Sequence, residues 1–199
     1  YNQTKDVGIK PTPTIGGIGL ISNYKNMITM SFKDIGNQVL LIGKTEGHID
    51  QSLFARVILD EKKGPPPEVN LFNEKNNGET LLNLIEKNYI KSAHDISLGG
   101  IMTAVSKMCI KGNKGIMLKK PKYLISEIEY FFGEDQGRYL IEVNPENLKE
   151  VIKILNKNSV HYDEIGTIIE NDIVINEKTK VTIDELRSYN TNWLKKYMA

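Results

Sequence analysis

The 199-residue sequence holds one cysteine, one tryptophan and three histidines. A single cysteine cannot close an internal disulfide, so no disulfide framework supports the fold. Cys109 lies in the apolar run 105–110, where a thiol reads as buried packing and not as a nucleophile. His48, His94 and His161 have no histidine three or four residues away, which excludes a helical two-histidine zinc motif. Paired catalytic acids and Ser/His triads leave no trace. No apolar run approaches the ~18–20 residues of a membrane span. The first residues, Tyr-Asn-Gln-Thr-Lys-Asp, lack the basic start and apolar core of a signal peptide. An excess of one charge is missing too: 26 Lys and Arg stand against 25 Asp and Glu, a net charge of +1. That balance gives no footprint for nucleic acid or a bilayer. The expectation is a cytoplasmic, reducing setting with neither nucleic acid nor membrane as partner. The chain also opens without Met, as the interior of a longer protein does, and reads as a fragment.

What is present suits one sizeable domain: 40% of residues are hydrophobic and 26% charged. Residues 1–14 read as a linker, because Lys-Pro-Thr-Pro-Thr at 10–14 holds the backbone extended. The domain is expected over residues 15–199. Its pattern predicts strands at 15–21, 27–32 and 38–42, the last two paired across the turn at 33–37. A helix follows at 52–59, with Leu53, Val57 and Ile58 at helical spacing. After the proline break at 62–67, a helical stretch spans 68–87, interrupted at Asn76-Asn77-Gly78, with Leu71, Leu81, Leu82, Leu84 and Ile85 inward. The pattern then predicts a strand at 90–95, a helix at 99–110 and a short strand at 116–118. Next come a helix at 123–132, a strand at 137–143, a helix at 145–155, and strands at 161–169 and 172–175. A turn at 176–180 leads to the final helix, 184–197, with Leu186, Trp193, Leu194 and Tyr197 as its apolar face. Early strands followed by mixed elements give an α+β fold, a mixed sheet with helices packed on it.

One stretch looks built for chemistry. Residues 92–100 read Ser-Ala-His-Asp-Ile-Ser-Leu-Gly-Gly and run straight into an apolar helix. A strand ending in an acid, a hydroxyl and two glycines sets a carboxylate beside helix-end N–H groups, as a phosphate-plus-metal site needs. Asp95 is the metal candidate; Ser97, Gly99 and Gly100 are candidate phosphate donors. The plainer alternative makes Ser97 a helix N-cap and Asp95 a turn residue. Residues 132–139, Phe-Gly-Glu-Asp-Gln-Gly-Arg-Tyr, offer Glu134 for a metal and Gln136 for a phosphate or amide, or else form a surface turn with Arg138 paired to an acid. The Ile-Gly-Gly-Ile-Gly-Leu at 15–20 is not a dinucleotide fingerprint, since its spacing is wrong and no helix follows. The loop at 43–52 carries His48, which reads as a ligand, a base or a solvated loop residue.

Together and in this order, these segments resemble the C-terminal portion of phosphoribosylformylglycinamidine synthase of the small bacterial type, subunit II, in the aminoimidazole ribonucleotide synthetase superfamily. Residues 1–4 resemble the Tyr-Asn-Glu-Thr that closes the preceding domain, with Gln3 departing from Glu. Residues 11–20 resemble the entry to the final domain, and 41–53 its Gly-x-Thr loop. Residues 93–100 resemble the His-Asp-x-Ser-Asp-Gly-Gly signature, with Leu98 where the family carries a polar or acidic residue. Residues 132–140 resemble the Gly-Glu-x-x-Gly-Arg strand entry, and 193–198 the family's C-terminus.

The resemblance implies an ATP-dependent amidation of formylglycinamide ribonucleotide, with ammonia from a glutaminase partner, in purine biosynthesis. It implies ATP or ADP and Mg2+ as cofactors. The implied partners are the N-terminal domains of the same polypeptide, a glutaminase subunit and a small third subunit, with self-association left open. The family's catalytic histidine lies in the earlier domains, so no catalytic residue is expected here, and the fragment alone is expected to be inactive. By the family's internal pseudo-symmetry, Asp95 and Glu134 fall at an auxiliary nucleotide site. Two alternatives stay open: a kinase-like member of the superfamily, such as thiamine monophosphate kinase or selenophosphate synthetase, and a scaffold domain. A scaffold should expose an apolar face of roughly several hundred Å2.

Overall fold

The computed structural model of the chain describes residues 3–9, 13–21, 23–120 and 125–199. A small hairpin joins β1 (Gln3–Thr4) to β2 (Val7–Gly8). The domain proper begins with β3 (Gln38–Ile42), α1 (Leu53–Val57), α2 (Leu71–Glu86), β4 (Ile90–Asp95), α3 (Gly100–Gly112) and β5 (Gly115–Leu118). It continues with α4 (Glu127–Phe132), β6 (Tyr139–Val143), α5 (Leu148–Lys157), β7 (Tyr162–Ile169), β8 (Ile173–Ile175), β9 (Thr179–Val181) and α6 (Ile183–Met198). Seven strands form one sheet in the order β4-β6-β3-β7-β5-β8-β9, antiparallel except for the parallel β5–β8 pair. The expected mixed sheet in an α+β fold is therefore present.

Both faces of the sheet are covered. Val39 and Leu41 of β3 face a core built with Ile101, Val105 and Met108 of α3 and Tyr130 and Phe131 of α4. Leu40 and Ile42 face a second core with Leu81 and Leu84 of α2 and Val151 and Leu155 of α5. A strand buried on both faces needs apolar residues throughout, which is why β3 reads Val-Leu-Leu-Ile without alternation. The flanking helices start where side chains can take up their free N–H groups. Ser126 and Glu129 cap α4 reciprocally, and Asn70 caps α2 through Asn73 N at 3.0 Å.

Several expectations change. Residues 15–21 form no strand, and Ile15, Ile18 and Leu20 are almost fully exposed, because no neighbouring backbone pairs with them among the described residues. The 27–32 segment contributes one parallel bridge, Thr29 to Ser92, rather than a strand. The 33–37 turn is not a hairpin either. The N–H groups of Lys33 and Asp34 donate to the Glu142 carboxylate, while β3 pairs with β6 and β7 instead of its sequence neighbour. Gly78 does not break α2. Asn76 and Asn77 are anchored by side-chain bonds to the Asn158 and Gly137 carbonyls, each 2.9 Å, and this tertiary anchoring overrides the local helix propensity. Leu71 and Leu82 face outward, as do Leu53 and Val57 of α1, whose one buried residue is Ala55, and Ile58 just after it. The helix expected from 123 begins only at Glu127, where Ser126 caps it; residues 123 and 124 lie outside the described residues, as do residues 1, 2, 11 and 12 of the family-like segments. No helix among the described residues is long and apolar enough to cross a membrane.

Cys109 is fully buried on α3, and burial pushes its thiol up to about 12. Native protein is expected to resist iodoacetamide at mildly alkaline pH while the urea-unfolded chain is fully alkylated. Mass spectrometry reads the difference, and rapid native alkylation would contradict the buried placement.

Candidate functional site

The turn between β4 and α3 is held from both sides. The Ile96 N–H donates to the Arg138 carbonyl at 3.0 Å, and the Gly100 N–H donates to the Ser97 carbonyl at 3.0 Å. Gly99 is the N-cap, at φ 82°, and as a glycine brings no capping side chain of its own; Ser97, the cap of the plainer sequence reading, leaves its hydroxyl exposed. Gly100 is also left-handed, at φ 65°, and a Cβ there would lie 2.7 Å from the Gly133 carbonyl oxygen and 2.8 Å from that of Phe131. The double glycine is thus required by conformation and by close approach to residues 131–133.

The anion at this helix end is the chain's own. Glu134 Oε1 accepts from Gly99 N and from Leu53 N, both at 2.7 Å, and so joins the starts of α3 and α1. A carboxylate suits that position, where oriented N–H groups and helix dipoles favour negative charge. Two residues expected to hold ligands, Gly99 and Glu134, therefore hold each other. Gln136 is exposed, and its Nε2 donates to the Glu134 carbonyl at 3.4 Å.

Asp95 stands apart from that contact. Its side chain is 63% exposed, and Oδ1 lies 3.2 Å from Nδ1 of His94. Burial pulls the His94 imidazole below its ordinary pKa, Asp95 opposes that shift, and Lys107 adds to it. The ring is then neutral with its proton on Nδ1, facing Asp95, and Nε2 is buried without a hydrogen-bond partner among the described residues. Across the β4–β6 register, Asp95 lies opposite Tyr139. Burial raises the Tyr139 phenol, and the negative charges of Glu74 and Asp95 raise it further. Among the described residues, no group of three His, Cys, Asp or Glu side chains is placed to hold a metal ion.

Asp135 and Arg138 organise the 43–52 loop. Asp135 Oδ2 accepts from Glu46 N at 3.2 Å and Gly47 N at 3.0 Å, and Oδ1 accepts from His48 N at 3.1 Å. Successive N–H groups converging on one carboxylate make a nest. Arg138 is buried, not on a surface turn. It donates to the Asp135 carbonyl at 3.1 Å, to Thr45 Oγ1 at 3.0 Å and to the Gly133 carbonyl at 2.7 Å, and its Nη1 lies 3.6 Å from Asp135 Oδ2. Burial lowers its pKa, and the adjacent Asp135 charge works against that, so the guanidinium stays charged. His48 is a loop residue whose Nε2–H donates to the Pro65 carbonyl at 3.1 Å. The loop, the proline stretch and the start of α2 enclose an open cavity of about 800 Å3, lined by Lys44, His48, Pro66, Asn70, Glu74 and Gln136 among others. Of the expected ligand residues, only Gln136 lines it.

A second buried carboxylate was not singled out in the sequence. Glu142 accepts from Lys33 N, Asp34 N, Asn37 Nδ2 and Ser92 Oγ at 2.7–3.0 Å. The available signal was an acid inside the otherwise apolar Tyr-Leu-Ile-Glu-Val of β6.

Residues 34–176 match the family described as AIR synthase related protein, C-terminal domain. The chain is 66% identical over 198 residues to phosphoribosylformylglycinamidine synthase subunit PurL of Pelagibacter ubique, and 37% identical over 199 residues to that of Bartonella henselae. Each alignment covers all of this chain and 27% of the relative, so the chain spans about a quarter of their length. The structure of T. maritima PurL complexed with FGAR superposes with a TM-score of 0.69 at 20% identity, covering 81% of this chain and 29% of that one. At that identity the superposition speaks for the fold. The matched glycine turn, the acid-and-arginine junction and the sheet that carries them all fall within one domain model, and the chain belongs to the AIR synthase related protein family through its C-terminal domain.

Proposed function

We infer that the chain is the C-terminal domain of a phosphoribosylformylglycinamidine synthase, an ATP-dependent amidoligase acting in purine biosynthesis. The observation that carries this reading is the 66% identity to the P. ubique subunit across the full length of the chain. In this reaction ATP phosphorylates the amide oxygen of formylglycinamide ribonucleotide, and ammonia from a glutaminase then displaces phosphate to leave the amidine. Residues 15–199 serve as the domain and residues 1–14 as its connection to the preceding one. Complexes of T. maritima PurL with ATP, ADP and AMPPCP support a nucleotide as cofactor. The T. maritima assembly named PurLQS supports work beside other subunits, taken here as the glutaminase and a small third subunit.

Within that enzyme this domain supplies a wall rather than the reacting groups. Its residues fit Mg2+ only in part. Asp95 is an exposed carboxylate and suits an ion that keeps most of its waters and leans on phosphate oxygens. Glu134 fits poorly through Oε1, which already accepts two backbone N–H groups. When bound, the ion would offset charge on the nucleotide phosphates. Asp95 would hold it, Ser97 would offer an exposed hydroxyl and Gln136 an exposed amide to the phosphates, and the Gly99–Gly100 turn, fixed by Glu134, would bring the backbone close.

The test is a chimera in which this chain replaces the matched segment of the P. ubique subunit. With ATP and ammonia it is expected to convert formylglycinamide ribonucleotide to the amidine. Asp95→Asn in the chimera is expected to weaken MgADP binding about 10-fold or more by calorimetry, as loss of a ligand-shell carboxylate does. A folded chimera without amidation would sink the functional reading. Unchanged MgADP affinity would remove Asp95 from the site.

A further inference from the structure

The last three turns of α6 stand exposed to solvent. Ile183 is buried, Leu186 packs against the core, and Arg187 Nη2 donates to Asn113 Oδ1 at 2.7 Å beside the C-terminal end of α3. Every residue from 188 onward is exposed. At 100° per residue, Tyr189, Trp193, Leu194, Tyr197 and Met198 fall on one half of that segment and continue the stripe that Leu186 begins. The Trp193 and Tyr197 rings are 6.2 Å apart. The opposite half is polar and satisfies itself: Thr191 donates to the Arg187 carbonyl and Asn192 to the Ser188 hydroxyl. Lys195 lies on that polar half. A segment this short has little helical stability of its own in water, so the stripe needs a partner surface. Its five large apolar side chains are each more than half exposed, a contiguous apolar patch of the kind that marks interaction sites on monomers.

The relatives indicate which partner. This chain corresponds to about a quarter of a single subunit in them, and α6 lies within the matched length. A surface on the same polypeptide meets α6 at an effective concentration in the ~mM range, far above that of a second copy at micromolar protein. We propose that the Tyr189–Trp193–Tyr197 stripe of α6 is a docking face for another part of the full-length subunit, an apolar surface with an acidic group at its rim to meet Lys196, which borders the stripe beside Tyr189. The proposal rests on the reading of this chain as one domain of a longer subunit.

Hydroxyl-radical footprinting tests it, because oxidation of Trp193, Tyr197 and Met198 is read peptide by peptide. In the P. ubique chimera these residues are expected to oxidise at least about fivefold more slowly than in the isolated chain at low micromolar concentration, since a docked stripe excludes water. Trp193→Glu with Tyr197→Glu changes only exposed positions, so the isolated chain keeps its fold. In the chimera that pair is expected to return Met198 to its isolated-chain rate. Equal oxidation in chimera and isolated chain overturns the proposal. Protection in the isolated chain that grows with its concentration also overturns it, assigning the face to a second copy. Should the chimera not fold, the native P. ubique subunit is footprinted over the equivalent helix, and full oxidation there overturns the proposal as well. A protected helix in a chimera without amidation would remove the functional reading and leave the docking face standing. An active chimera with an unprotected helix would do the reverse.

Discussion

Arg138→Met is expected to destabilise the chain by about 3–5 kcal/mol, the cost of breaking a buried pair by removing one partner. For a domain of this size that is roughly 6–20 °C in Tm. The reason is what remains. Methionine fills much of the volume but donates nothing, so the Gly133 and Asp135 carbonyls and Thr45 Oγ1 lose their donor in a buried setting. Asp135 keeps three backbone N–H partners yet loses the nearby guanidinium. Arg138→Lys keeps the charge but cannot reproduce the planar fork, so it is expected to recover less than half of the loss. Thermal unfolding followed by circular dichroism reads both variants. A drop of less than about 1 kcal/mol for Arg138→Met would mean that the 43–52 loop is held by other contacts.

The second large effect is expected at Glu142. Glu142→Leu leaves Lys33 N, Asp34 N, Asn37 Nδ2 and Ser92 Oγ without an acceptor. The buried Asn37 and Ser92 donors cost about 1–3 kcal/mol each when orphaned, the half-buried Lys33 and Asp34 amides less, and the sum is expected near ~4 kcal/mol. Glu142→Gln is not conservative here. Oε1 serves Asp34 N and Asn37 Nδ2 while Oε2 serves Lys33 N and Ser92 Oγ, so an amide would turn its NH2 toward one of the two donor pairs. It is expected to fall between wild type and leucine in urea unfolding. Hydrogen exchange supplies the local readout: the Lys33 and Asp34 amides should lose protection first in Glu142→Leu. Unchanged exchange at those two amides would contradict the role given to Glu142.

How much of this was legible in the sequence depended on where the cause of each feature lies. The elements from β3 through β8 carry their own periodicity and turn residues, so the α+β reading and the order of elements could be drawn from local pattern. The failures involve distant partners. Residues 15–21 have the composition of a strand but no neighbouring backbone, and strand pairing is a property of two segments. Asn76-Asn77-Gly78 has the composition of a break, yet side-chain bonds to Gly137 and Asn158, 60 and 82 residues away, carry the helix through. At the site, the residue types around Gly99 and Glu134 stood out because few sequences combine paired glycines, acids and a helix start. Their relation did not. Spacing along the chain cannot tell a carboxylate that waits for a metal from one that already caps two helices. Asp135 and Glu142 were harder still, since an acid read alone gives no sign that three or four donors from another loop converge on it.

The place of β3 in the sheet also bears on how the chain reaches this structure. β3 is central, yet its partners begin at residues 139 and 162, about a hundred positions later. A ribosome releases β3 long before either partner exists, and its Val-Leu-Leu-Ile stays unpaired until most of the domain has emerged. Such long-range closure slows folding and lengthens the interval in which a bare strand can join the wrong neighbour. The domain is thus committed late, and its first apolar strand is also its most exposed liability during synthesis.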